Sequence, residues 1–383
     1  MLMKLNLLAA RTLCALLTAF ISLSASAFTQ GGFNYNIISN TNKTVEISGS
    51  GPFSSSDITI PTAVTHERIT YSVVRIGRYA FSKCTELTSV KIPETVTAIL
   101  YGAFQGCTGL TTLTIPERVT SIDSWAFRDC TNLKTISLPS HLNELGIQAF
   151  GQCESLESIT LPEGLPQINN YTFYGCKNLK SVKLPSTIKS INMIAFYGCS
   201  SLESVIIPES VEAIGEQAFL GCSTLTEIKI PDNVATIGCS AFQRCTNLKT
   251  VEIGSGIKTI EYNTFASCLQ LESIKVDAVV PPVAQSVTSI GSMQAAFDDW
   301  HYENTDLRVP AESIEKYRTA PVWENFFKDR NPLTAIEGVE AAEGAESEVV
   351  ARYDLSGRPV ADDYRGMTIV RRADGSTAKE MLR

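Results

Sequence analysis

Nine cysteines fall on an unbroken 23-residue interval: Cys84, Cys107, Cys130, Cys153, Cys176, Cys199, Cys222, Cys245 and Cys268. A column this regular means nine copies of one structural unit, and it fixes a repeat architecture before any other position is read. Phenylalanine keeps the same beat from Phe81 to Phe265, and six residues beyond each lies a leucine, from Leu87 to Leu271. Two aliphatic slots separated by one polar residue follow, as in Val90 and Ile92. That period of two is the strand signal. Proline closes the strand in seven copies, at Pro93, Pro116, Pro139, Pro162, Pro185, Pro208 and Pro231, where it can donate no ladder hydrogen bond. Two further aliphatic slots, such as Val96 and Ile99, lead to the next Ala-Phe pair. Each copy is therefore a coil with one short parallel strand, a return path and a tight turn around Ala-Phe-x-x-Cys. No coil can bury its apolar slots alone. Stacked, nine of them share one dry core and make a mostly β solenoid.

The slot pattern A-F-x-x-C-x-x-L-x-x-V/I-x-I-P-x-x-V resembles the BspA-type leucine-rich repeats of bacterial surface proteins, over about Ile69 to Val280. Ile58 to Phe81 (ITIPTAVTHERITYSVVRIGRYAF) resembles that family's entry cap, and Leu307 to Phe326 (LRVPAESIEKYRTAPVWENF) its closing cap. Departures are few. Thr172 and Thr264 stand in the alanine slot before phenylalanine, and Gly254 replaces the eighth proline, which points to a looser coil there. The expected organisation is a signal peptide at 1–27, an N-terminal β cap at 28–75, nine repeats at 76–280 and a C-terminal cap at 281–332. An acidic linker at 333–350 and a short β tail at 351–383 complete it. In the tail, ARYDLSGRPV and RGMTIVRRADGSTAKEML read as two strand-like runs. They resemble the short sorting tails of type IX-like secretion, although Thr368 stands where many such tails carry an aromatic residue.

The leader reading rests on Lys4 and Arg11, an apolar stretch from Thr12 to Leu23, and small residues at Ala25-Ser26-Ala27. Cys14 lies inside the apolar stretch without small residues before it, which argues against lipoprotein processing. No later run approaches the ~18 apolar residues that a membrane span needs. The formal charge is −8, and losing Lys4 and Arg11 with the leader makes the mature chain more acidic still. Without a clustered basic surface to neutralise phosphates, a nucleic-acid partner is not expected.

The cysteine column admits three readings. Metal ligation wants paired ligands such as C-x-x-C, which the sequence lacks. Disulfides suit an exported chain, but equivalent Cβ atoms in adjacent coils would stand ~5 Å apart, beyond what the bridge prefers. The third reading is a column of reduced, buried thiols acting as small hydrophobes, and it is the expectation here. Cys239 lies outside the column, three residues before Phe242, and is expected to be an exposed, reactive thiol.

Catalytic patterns are missing: there is no H-E-x-x-H, G-x-S-x-G or G-x-x-x-x-G-K-[ST], and His66, His141 and His301 are the only histidines. No catalytic residue, metal or cofactor is expected. The sequons at Asn42 and Asn170 read as coincidental. One outward strand slot is almost pure hydroxyl, running from Ser89 and Thr112 to Ser273, and suits a wet surface. The slot before it places Lys134, Glu157, Lys180 and Glu203, and later Lys249 and Glu272, as a cross-strand charge ladder. Aromatics that vary between coils gather near the Ala-Phe turn instead: Tyr79, Tyr101 and Trp125, then Tyr171, Tyr174 and Tyr197. Core phenylalanines hold one slot and these do not, so they form the candidate binding patch. The resemblance implies adhesion at the cell surface or outside the cell, to host extracellular or plasma glycoproteins or to other microbes. Glycan or peptide capture for nutrient uptake is the alternative.

Overall fold

The computed structural model describes residues 27–51, 56–287, 293–328, 349–354, 366–372 and 377–382. The expected signal peptide, Ala27 aside, and the acidic linker, Val349 and Val350 aside, lie outside these residues. The repeats form a mostly β solenoid of stacked coils. The first aliphatic pair of each coil makes an outer strand row of parallel strands. Asp57–Thr59 pairs with Ser89–Lys91, Thr112–Thr114 with Thr135–Ser137, and Ser158–Thr160 with Ser181–Lys183. Glu227–Ile230, Thr250–Ile253, Ser273–Val276 and Asp306–Arg308 then run as one continuous ladder. Gly254 does not loosen it: Thr250–Ile253 pairs over its whole length with Glu227–Ile230 before it and Ser273–Val276 after it. A Cβ at Gly254 would stand 2.6 Å from the Asp232 nitrogen, so the missing side chain admits a close approach between coils.

The return path is a second strand row and not plain coil. Pairs such as Ala98–Ile99, Ser121–Ile122 and Glu144–Leu145 stack in parallel register, and the row resumes from Gln167–Ile168 to Thr259–Ile260. The turn supplies a third row of inter-coil bonds. The Phe81 amide donates to the Ala103 carbonyl of the next coil at 2.7 Å, Phe104 to Ala126 at 2.8 Å, and so on to Phe265. Two left-handed residues flank each phenylalanine, two positions before it and two after: Tyr79 and Lys83 (φ 55° and 60°), and Trp125 and Asp129 (φ 63° and 61°). The alternation aims every second amide at the next coil, so Tyr79, Phe81 and Lys83 all donate forward, to Tyr101, Ala103 and Gln105.

Inside, Phe81 to Phe265 are fully buried and stack nearly face to face, with centroids 5.0 to 5.7 Å apart. Thr172 and Thr264 fit the alanine slot by folding their hydroxyls back onto the Asn169 and Glu261 carbonyls, at 2.7 and 2.6 Å. At the front, strands Ala27–Gln30, Phe33–Ser39 and Thr44–Ser50 pair antiparallel, and the last pairs in parallel with Ile69–Ile76 to start the coil rows. Ile58, Ile60, Pro61 and Val64 repeat the strand-proline slots, so half a coil already lies within the expected cap. At the back, Phe297 continues the stack at 5.5 Å from Phe265. Trp323 and Phe326 close it edge-on at 5.4 and 5.2 Å. Trp323 donates its indole N–H to the Pro282 carbonyl (2.7 Å), and Tyr317 its hydroxyl to Ala278 (2.9 Å). The tail holds three antiparallel strands, Val349–Asp354, Gly366–Arg372 and Thr377–Leu382, because the second of its two strand-like runs is itself a hairpin.

Candidate binding surface

The cysteine column is buried from Cys107 to Cys268, and all ten cysteines among the described residues are free. Each buried S–H of the column points at a carbonyl: Cys107 Sγ lies 3.0 Å from the Phe81 oxygen and Cys130 Sγ 3.1 Å from that of Phe104. The pattern repeats as far as Cys268 on Phe242, at 3.2 Å. The same Phe81 oxygen accepts the Cys84 amide at 3.1 Å, so the thiol of the next coil takes its second lone pair. Burial pushes the Cys130 and Cys268 thiols up to about 12 and raises the other buried thiols of the column as well, which suppresses thiolate chemistry. Cys84, at the start of the column, is half-buried, packs against the core and lies 3.5 Å from the Ser50 hydroxyl.

Cys239 is buried, contrary to expectation, with 6% of its surface exposed. Its slot sits between coils, where Tyr262 from the next coil covers it and hydrogen-bonds to it. Burial pushes its thiol up to about 11, and the carboxylates of Glu216 and Glu261 oppose ionisation further. A thiol in an acidic, covered slot is a poor nucleophile.

The expected charge ladder closes at Lys249 and Glu272, 3.5 Å apart. The tighter inter-coil pairs sit elsewhere, at Lys177 with Glu154 (2.8 Å) and Lys189 with Glu212 (2.9 Å). The hydroxyl stripe does face solvent over most of its length. Beside it a shallow groove of about 690 Å³ is lined by Glu117, Thr135, Ser137, Ser158, Thr160 and Glu163. Among the described residues, no group of three or more His, Cys, Asp and Glu is placed to hold a metal ion, and no helix is long and apolar enough to cross a membrane.

The variable aromatics fall into two clusters on the turn side. Tyr79, 47% exposed, meets Tyr101 edge-on at 5.3 Å, and Tyr101 meets Trp125 at 5.1 Å. Tyr171 meets Tyr174 at 6.0 Å, and Tyr174 meets Tyr197 at 5.4 Å. Ile147, 44% exposed, occupies the intervening coil. Tyr79, Trp125 and Tyr171 occupy the first left-handed position of their coils, where bulky side chains are uncommon. Coil two has glycine there, and the Tyr79 ring lies over Gly102, where a Cβ would come within 2.7 Å of it. Two arginines join the first cluster only: the Arg78 guanidinium lies 5.9 Å from the Tyr101 ring and that of Arg128 lies 4.6 Å from Trp125. Sequence reasoning found the rings and missed these arginines. Their signal is positional, since Arg78 and Arg128 flank the phenylalanine in the same coils that carry the rings.

A family model described as BspA type leucine-rich repeat region matches residues 61–180 and 166–293, in six copies. A crystal structure of a leucine-rich-repeat protein from Bacteroides ovatus is similar, with 30% identity, 76% of this chain and 80% of that chain covered, and a TM-score of 0.53. A leucine-rich cell surface protein from Faecalibacterium prausnitzii is 26% identical over 78% of this chain and 98% of its own, with a TM-score of 0.49. No curated protein matches the sequence significantly.

Proposed function

The chain belongs to the BspA-type leucine-rich-repeat family, and from that premise we propose that it is an exported, non-catalytic binding protein of the cell surface or exterior. Proteins of this type are often adhesin-like surface binders. In this reading it is an adhesin for host extracellular or plasma glycoproteins or for other microbes. The observation that carries the reading is the surface ladder of Tyr79, Tyr101 and Trp125, exposed at Tyr79 and half-buried at the other two. These rings lie outside the phenylalanine stack that holds the rod together, and they contact one another across three successive coils. Rigid aromatics of this kind are favoured anchors at protein surfaces. Residues 1–27 would direct export, and 351–383 would serve as a sorting tail. Deleting 351–383 should then leave a folded rod inside the cell envelope, whereas unchanged surface display would remove the sorting role.

The test of binding is a screen of the mature protein against matrix proteins, plasma proteins and glycans. Tyr101→Ala and Trp125→Ala, each checked for unchanged unfolding, should weaken whatever binds. Undiminished affinity in both would remove the ridge from the account. The groove beside the hydroxyl stripe favours a second reading, a capture module for glycans or peptides in nutrient uptake. Binding lost on replacing Glu117 and Glu163, and kept in the aromatic variants, would select it.

A further inference from the structure

Deepening the binding reading above, on which it rests, we propose that the first aromatic cluster is a subsite for anionic glycans, sugars bearing carboxylate or sulfate. The chain as a whole is acidic, at −8, yet this ridge carries two guanidinium groups held over aromatic faces. Arg78 is exposed and makes no ion pair or hydrogen bond with another described residue. Arg128 sets its Nε 3.3 Å from Asp129, and its terminal nitrogens make no hydrogen bond with another described residue. Arg78 is therefore the guanidinium open to an anion, with the half-buried, Asp129-paired Arg128 able to add its terminal nitrogens, and Arg presents a planar fork that matches carboxylate or sulfate oxygens. The second cluster, Tyr171, Tyr174 and Tyr197, has rings without an arginine over them and lacks this chemistry.

Shape favours a sugar over a peptide. Three grooves among the described residues are lined by the strand row, and none of these three includes Tyr79, Tyr101 or Trp125. A peptide anchor wants a desolvating pocket. A sugar ring instead lays its C–H face on an exposed ring platform, which Tyr79 presents here, beside the half-buried Tyr101 and Trp125 rings tilted by 34° at 5.1 Å. The platform is preorganised. The amides of Tyr79 and Trp125 are fixed at 3.0 Å to the Tyr101 and Ile147 carbonyls of the following coils, and both residues sit at positive φ. Holding a bulky side chain left-handed is strained where glycine would not be. Coil two shows that glycine is accepted at this slot.

The experiment measures binding of the mature protein to heparin, hyaluronan and polygalacturonate beside uncharged dextran, at low and high salt. The proposal expects at least one anionic polymer to bind, dextran not to bind, and affinity to fall with salt. Arg78→Gln with Arg128→Gln should weaken binding at least tenfold, since a hydrogen bond to a charged group contributes on that order. Arg128→Lys should restore only part, and Tyr101→Ala should lose several-fold. Dextran binding as well as hyaluronan, or the arginine pair being replaced without effect, would overturn the proposal. So would matrix-protein binding that needs these arginines while no glycan binds. Matrix-protein binding that survives loss of both arginines, with no glycan bound, would overturn this subsite alone and leave the adhesive reading standing. No binding to any protein or glycan would overturn both.

Discussion

A buried S–H has one weak hydrogen bond to offer, and at each turn the phenylalanine carbonyl of the preceding coil takes it. Cysteine suits the slot because it is small, tolerates desolvation and still occupies that lone pair. Stability should accordingly depend on alkaline pH. An unfolded thiol ionises near ~8.5, whereas Cys130 and Cys268 are held up to about 12. A folded pKa raised above the unfolded one gives stability that is complete below the unfolded value. It is lost as pH climbs from there through the folded value. The unfolding midpoint should therefore be flat below pH ~8 and fall steadily above pH ~9, steeper than in a variant with three column cysteines replaced by alanine. Identical slopes would show that the thiols are not the cause. Native thiol labelling should reach Cys84 first and leave Cys239 slow, since Cys239 is covered by Tyr262 and faces Glu216 and Glu261. Rapid labelling at Cys239 would contradict its burial.

The turn is the element that departs most from what spacing alone conveys. Two left-handed residues per coil convert a loop into a third hydrogen-bonded wall. Ile194 shows the conflict most sharply, because a β-branched residue sits at φ 60°. Ile194→Gly should stabilise by up to about 1 kcal/mol if relieved strain exceeds the lost packing. Gly102→Ala should destabilise by about 1–2 kcal/mol, from its φ of 61° and from the Tyr79 ring 2.7 Å from the new Cβ. Denaturant midpoints test both, and the reverse order of the two would refute the strain assignment.

These residues also show how much was legible in the sequence. Phenylalanine, leucine and the strand pair repeat strictly because each fills a buried slot whose shape every coil shares, so periodicity exposes them. The left-handed slots accept Gly106, Gly175, Gly198 and Gly221, but also Lys83, Asp129, Gln152 and Arg244. Backbone conformation there is imposed by inter-coil bonding and only partly written in residue type. Cys239 misled for a related reason: a break in a pattern signals a different neighbour, and the neighbour, Tyr262, lies one coil away and buries it. The aromatic cluster could be named from the sequence, but its arginines required knowing which residues share a face.

For the whole molecule, a stack of rings needs both ends covered. Phe33 meets Phe81 edge-on at 6.1 Å at the front, and Phe297 with Trp323 and Phe326 closes the back. Phe173→Ala, in mid-stack, should cost about 3–5 kcal/mol as a large-to-small core change. Trp323→Ala should cost a similar amount and also expose the end of the core, so that it promotes self-association where Phe173→Ala does not. Light scattering separates the two, and a monodisperse Trp323→Ala rod would show that the cap is dispensable. Everything beyond this scaffold is surface, and the central claim is that the ridge of the first three coils does the binding. Affinity of the mature protein for its best ligand in a matrix-protein and glycan screen tests this directly, compared with a Tyr101→Ala/Trp125→Ala double variant of unchanged unfolding midpoint. The account predicts at least a tenfold loss. Equal affinity of the two proteins would contradict it.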